Sequence, residues 1–120
     1  MKRYFALCFL MVAAPVYAQE GDPAAGEQLF GQCSGCHMLE EGQNRAGPHL
    51  FGVVGREIGS VEGFRYTGTL ADSTEVWDEA SLIAYLTAPR EAMPGTRKTV
   101  FLRSEEDAAN LVAYLRSLGG

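Results

Sequence analysis

Lysine is almost missing from this 120-residue chain: of ten Lys and Arg residues only Lys2 and Lys98 are lysines. Fifteen acidic residues outweigh those cations and set the formal net charge at −5. An excess of that sign argues against nucleic-acid binding and against adsorption on anionic membranes, and it favours partners with a basic or weakly charged docking face. Histidine is scarce too, with His37 and His49 alone, and the three cysteines are Cys8, Cys33 and Cys36. No apolar run reaches the roughly 20 residues that a helix needs to span a bilayer. The stretch from Tyr4 to Ala14 is the longest candidate, and it follows Lys2 and Arg3 and precedes Pro15-Val16-Tyr17-Ala18. Basic start, short apolar centre and small-residue end make residues 1–18 a secretory signal peptide, with cleavage expected after Ala18 and periplasmic delivery of residues 19–120 as one domain. Cys8 is an ordinary residue of that leader. Losing Lys2 and Arg3 takes the net charge to about −7 and leaves no membrane-inserting segment.

What remains is organised around Cys33-Ser34-Gly35-Cys36-His37. A Cys-x-x-Cys pair in an exported chain admits a redox dithiol, half of a zinc site, or covalent haem attachment. A thioredoxin-like dithiol asks for a βαβ pattern, which the chain lacks. A zinc site asks for further Cys or His ligands, and only His49 is left over. The histidine directly after the second cysteine decides for haem: two thiols meet the two vinyl groups, and the next residue brings its imidazole under the iron.

The rest of the chain reads as a helical shell. Asp22 caps a first helix with Pro23 at its first position, Ala25, Leu29 and Phe30 share a face, and Gly31 ends it. Residues 40–74 are rich in glycine without sustained period and read as loops, with at most a turn of helix near Thr69 to Asp72. A second helix is expected from about Asp78 to Thr87, carrying Leu82, Ile83, Tyr85 and Leu86 and closed by Pro89. The last helix opens on Ser104-Glu105-Glu106-Asp107, a capping-box variant, and lines up Ala108, Leu111, Leu115 and Leu118 before Gly119 stops it. Loops this long without secondary structure normally count against a compact domain, but they are expected around a flat cofactor.

These landmarks, in this order, resemble the class I c-type cytochromes of the mitochondrial and purple-bacterial branch, over nearly all of residues 19–120. The resemblance implies an all-α fold in which the N- and C-terminal helices pack across each other, with a third helix and loops enclosing one covalently bound haem c. Gly26 and Phe30 stand where that family's first helix meets Leu111 and Tyr114 of the last. Pro48, after Gly47, matches the residue whose carbonyl accepts the N–H of the proximal imidazole, here His37. Arg56, Tyr66 and Trp77 match positions that hydrogen-bond or neutralise a buried haem propionate, although a surface arginine, a satisfied aromatic and a large core residue are the plainer readings. Tyr85 matches a tyrosine on the distal side, and Pro94-Gly95-Thr96 the start of the loop over the second haem face. His49 falls where the family uses no ligand and reads as a surface or loop histidine.

The departure is at the sixth iron ligand. Where the family places methionine, this chain runs Met93-Pro94-Gly95-Thr96-Arg97-Lys98-Thr99, with a lysine at the ligand position. Three states stay open: His37/Lys98 coordination, ligation by Met93 after refolding of the Pro-Gly turn, and an open or water-bound iron. Met38 follows the proximal histidine and is tied to the wrong face. The resemblance implies a monomeric electron carrier, low in potential if Lys98 binds, rather than an enzyme; an open sixth position would instead suit a haem sensor or a peroxidase-like activity.

Overall fold

In the computed structural model, residues 21–119 are described, so the expected signal peptide lies outside the described residues. Asp22 starts the first helix as foreseen: its carboxylate accepts the Ala24 N–H at 3.0 Å, and Pro23 occupies a position whose missing N–H costs nothing. The helix, α1, spans Pro23–Phe30. Gly31 follows in a right-handed conformation, so the chain does not turn away there. It continues in tight turns, with Cys33 N–H bonded to the Phe30 carbonyl at 2.8 Å and His37 N–H to the Cys33 carbonyl at 2.9 Å. The Cys-x-x-Cys-His segment is therefore held as an extension of α1.

A single turn, α2, spans Thr69–Asp72. Asp78 then caps α3, Glu79–Thr87, through a reciprocal pair: the Ser81 N–H donates to the Asp78 carboxylate at 2.7 Å, and the Asp78 N–H donates to the Ser81 hydroxyl at 2.9 Å. Pro89 does close α3, but it also opens a further short helix, α4, Pro89–Ala92, because a proline at the first helical position is pre-set for it. The last helix, α5, spans Glu105–Ser117, with Ser104 accepting the Asp107 N–H at 3.1 Å. Its acids in the first turn and Arg116 in the last complement the helix dipole. Gly119 follows at φ 90°, the left-handed conformation that ends helices.

The organising contact is α1 across α5. Gly26 lies against the Asn110 carbonyl and Tyr114 Cβ, the Asp22 N–H donates to Asn110 Oδ1 at 2.8 Å, and the Phe30 and Tyr114 rings meet at 5.9 Å between centroids. Helix α3 packs on the other side of α5 and on α4. The buried face of α5 is Ala108, Leu111, Val112 and Leu115. Leu118, expected to continue that face, is exposed because the helix has ended before it; Val112, one turn after Ala108, fills the core instead. Ile58, Trp77, Leu82, Met93 and Leu102 complete the core. No strand is formed among the described residues, only an isolated antiparallel bridge between Glu57 and Val76. That bridge places Arg56 beside Trp77, through a Trp77 N–H to Arg56 carbonyl bond of 2.9 Å. No described helix is long and apolar enough to cross a membrane.

Candidate functional site

The helices and loops surround a cavity of about 300 Å³, and the turns after α1 put Cys33, Cys36 and His37 on its wall. Both cysteines are free thiols, Cys33 half-buried and Cys36 exposed. Among the described residues no cluster of three or more His, Cys, Asp or Glu side chains is poised for a metal ion, so the pair has no companions with which to enclose zinc.

His37 is held from behind. Its Nδ1–H donates to the Pro48 carbonyl at 2.8 Å, which leaves Nε2 as the lone-pair nitrogen. The loop carrying Pro48 is tied to the motif by the Gly47 N–H on the Cys36 carbonyl at 2.8 Å and the Leu50 N–H on the Met38 carbonyl at 2.9 Å. A Cβ on Gly47 would overlap the His37 ring, so glycine is required there by the close approach of the imidazole. Burial lowers the His37 pKa; the Pro48 carbonyl works against that, while the nearby charges of Lys98 and Arg56 add to it. The neutral ring, the form that binds iron, is favoured.

Arg56 also lines the cavity. Its Nη1 donates to the carbonyls of His49 at 2.9 Å and Phe51 at 3.0 Å, yet its Nε–H is buried without a partner. A buried guanidinium N–H left unsatisfied is costly, and an anionic oxygen in the cavity would satisfy it. Tyr66 accepts the Val61 N–H at 3.1 Å, so its own proton stays available for donation. Trp77 is buried on the cavity wall, with its ring 5.2 Å from that of Tyr85. Arg56, Tyr66 and Trp77 are thus brought together on one wall, and the plain reading of Arg56 as a surface residue does not hold.

His49 is corrected as well. It sits in a loop, but it is buried, because Arg56 grips its carbonyl and its N–H donates to the Asn44 side chain at 3.0 Å. It does not line the cavity.

The loop after α4 also borders the cavity, pinned by the Thr69 N–H on the Pro94 carbonyl at 3.0 Å and the Thr67 hydroxyl on the Gly95 carbonyl at 2.8 Å. Thr96 meets the Tyr85 hydroxyl at 2.6 Å and accepts the Lys98 backbone N–H at 3.2 Å. Lys98 is half-buried and lines the cavity, near enough to the cysteine pair and His37 for its charge to be felt there. Burial lowers its pKa, opposed by the charges that Cys33 and Cys36 carry as thiolates. Met93 is buried in the core at 7 % exposure and is absent from the cavity wall, as is Met38.

Thr67, Phe64 and Arg65 on that wall went unnoticed in the sequence. They come from a glycine-rich loop without period, where pattern gives no signal. The charged residues of the wall are Arg56, Arg65, Arg97 and Lys98, with no carboxylate among them.

A thiol pair, an imidazole with one nitrogen free, an orphaned guanidinium N–H and a largely apolar cavity fit a flat, iron-bearing anionic cofactor. Comparison with known proteins places this arrangement. The family described as cytochrome c matches residues 23–119. Cytochrome c2 of Rhodoblastus acidophilus is 43% identical over 97 residues, covering 79% of this chain and 91% of the relative. Cytochrome c2 of Rhodomicrobium vannielii is 39% identical over 113 residues, covering 92% and 90%. Among solved structures, cytochrome cH from Methylobacterium extorquens superposes with a TM-score of 0.74 at 34% identity, covering 81% of this chain and 99% of that one. The chain belongs to the cytochrome c family. As in its relatives of the c2 and c-550 kind, it is an electron carrier working with redox partners, carries one covalently attached haem c, and is not an enzyme.

Proposed function

We propose that this cytochrome is an exported, monomeric, low-potential electron carrier of the periplasm, whose haem is bound through thioethers to Cys33 and Cys36 and whose iron is held by His37 and Lys98. The observation that carries the reading is the placement of the distal candidates: Lys98 lines the same cavity as His37, whereas Met93 is locked in the core. For Met93 to reach the iron, it would have to leave a buried site and unfold the Pro94-Gly95 turn, whose carbonyls are both engaged. The bound haem supplies a one-electron iron couple.

Each residue has a defined task. Pro48 fixes the plane and tautomer of His37 and raises its donor strength. Arg56 and Tyr66 offer donors to a propionate, and Trp77 closes the wall against water. Lys98 must be neutral to ligate, which costs roughly 4–5 kcal/mol at pH 7 for an ordinary lysine. Burial already moves the group in that direction. An amine is a harder donor than a thioether and favours ferric iron, hence the low potential. The N-terminal leader features support export, although they lie outside the described residues.

The expectation of a partner with a basic or weakly charged face rests on net charge. Local charge argues otherwise: the exposed Arg65 and Arg97 line the cavity and no carboxylate does, while the acids sit elsewhere, as at the start of α5. Because salt screens exposed charges beyond about 8–10 Å, the contact patch governs docking, and we read the partner as one presenting carboxylates around its own redox centre. Electron exchange with such a partner is expected to slow as salt rises; acceleration by salt would contradict this.

The test of the ligand set is the visible and EPR spectrum of ferric holoprotein beside Lys98→Ala and Met93→Leu. Low-spin iron without a far-red sulfur-to-iron band is expected in the parent and in Met93→Leu, and high-spin iron in Lys98→Ala. A far-red band that disappears in Met93→Leu would refute the reading.

A further inference from the structure

His49 is the only buried polar side chain among the described residues, and the site above gives it no task. Its backbone is anchored at both ends: the N–H donates to Asn44 Oδ1 at 3.0 Å, and the carbonyl accepts from Arg56 Nη1 at 2.9 Å. Asn44 is itself tied across to the Glu62 carbonyl at 3.2 Å, which holds the residue in place. The ring is treated differently. Its Nδ1 is sealed from solvent without a partner, whereas the Nδ1–H of His37 is committed to the Pro48 carbonyl. No bond at Nδ1 therefore fixes the protonation state of the His49 ring, and the charges around it decide whether it takes a second proton. Its remaining 8 % exposure leaves that proton a path to solvent.

Arg56 joins this ring to the haem site. Its guanidinium grips the His49 carbonyl, carries the orphaned Nε–H and lines the cavity. We propose that His49 is a proton site coupled to the haem electron: an electron delivered by a redox partner draws a fraction of a proton from solvent onto the His49 ring, and its departure releases that fraction. The ground is Coulombic. Reduction removes one positive charge from the cavity, and a buried, poorly screened interior carries that change to the ring. Two charged side chains act on the ring besides. Burial lowers the His49 pKa, the Arg56 charge lowers it further, and Glu41, on the loop after the Cys-x-x-Cys-His segment, raises it. A propionate held by Arg56 offsets the Arg56 charge and leaves burial as the leading cause. The reduced protein binds the proton more tightly, so the potential is higher below the His49 pKa and falls as pH rises through it, below the ordinary histidine value of about 6.5. This coupling rests on haem attachment at Cys33, Cys36 and His37 and is independent of the sixth ligand.

With His37 on the iron, His49 supplies the only titrating imidazole of residues 19–120, and NMR reads it directly in the ferric and ferrous holoprotein. Its proton affinity is expected to be about tenfold weaker in the ferric form, which corresponds to a potential about 59 mV lower above the transition than below it. His49→Asn keeps the backbone bonds to Asn44 and Arg56 and is expected to hold a constant potential over the same pH range, with the visible spectrum of the parent. Equal proton affinity in the two redox states overturns the proposal. So does a potential that falls with pH as steeply in His49→Asn as in the parent, which assigns the proton to a propionate or, where the spectrum changes in step, to the sixth ligand. The NMR titration uses the unaltered protein and decides the matter even where the variant fails to fold.

Discussion

Substituting Lys98→Met is expected to raise the reduction potential of the holoprotein by on the order of 100 mV or more, a fraction of the roughly 0.8 V over which axial ligands set haem potentials. A sulfur-to-iron band, not expected in the parent, should appear with it. The reasoning runs through the loop. Lys98 already stands on the cavity wall with its backbone N–H on Thr96, so a side chain of similar length at that position reaches the same space without moving Pro94 or Gly95. On the proposed ligation, an amine that favours ferric iron is replaced by a softer thioether that favours ferrous iron. Spectroelectrochemical titration of parent and variant measures the shift, and an unchanged potential would mean that residue 98 does not touch the iron.

Gly26→Val is the change with the largest expected effect on folding. The built Cβ falls on the Asn110 carbonyl and against Tyr114 Cβ, so the obstacle is backbone and cannot rotate away. Helix α1 must lift from α5, which also loosens the Phe30–Tyr114 contact and the Asp22–Asn110 bond. Overpacking typically costs 1–3 kcal/mol, and a clash with backbone belongs at or above the top of that range, about 3 kcal/mol. The gain in helix propensity over glycine returns less than about 1 kcal/mol. For a domain of this size the loss corresponds to roughly 10–20 °C in Tm, read by thermal unfolding of the holoprotein. Glu27→Val, one residue along on the exposed side of α1, is the control and should change little.

Most of the helical frame was legible because its signals are local. Asp22-Pro23, Asp78 and Ser104 each announce a helix start, and the cap bonds are made where those residues predict them. The limits were local too. Pro89 reads as a stop, yet a proline also suits a first helical position, and only packing decides that α4 follows. Leu118 continues a 3.6-residue period on paper, but periodicity does not know that the helix has ended at Ser117. The attachment motif was legible because covalent chemistry fixes its spacing, whereas Phe64, Arg65 and Thr67 of the cavity wall were not, because they come from a loop that has no period. Burial of His49 depends on Arg56 reaching back seven residues to its carbonyl, a contact that no pattern encodes. The charge of the cavity wall was hidden for a related reason: net charge sums over the whole chain, and only the fold shows that this wall collects arginines and excludes acids.

The most direct test of the central claim is a crystal structure of the ferric holoprotein that resolves the sixth iron ligand. The account predicts the Lys98 Nζ bonded to iron opposite the His37 Nε2, with Met93 still in the core at the end of α4. Met93 sulfur on the iron, or a water molecule there with Lys98 turned to solvent, would contradict it.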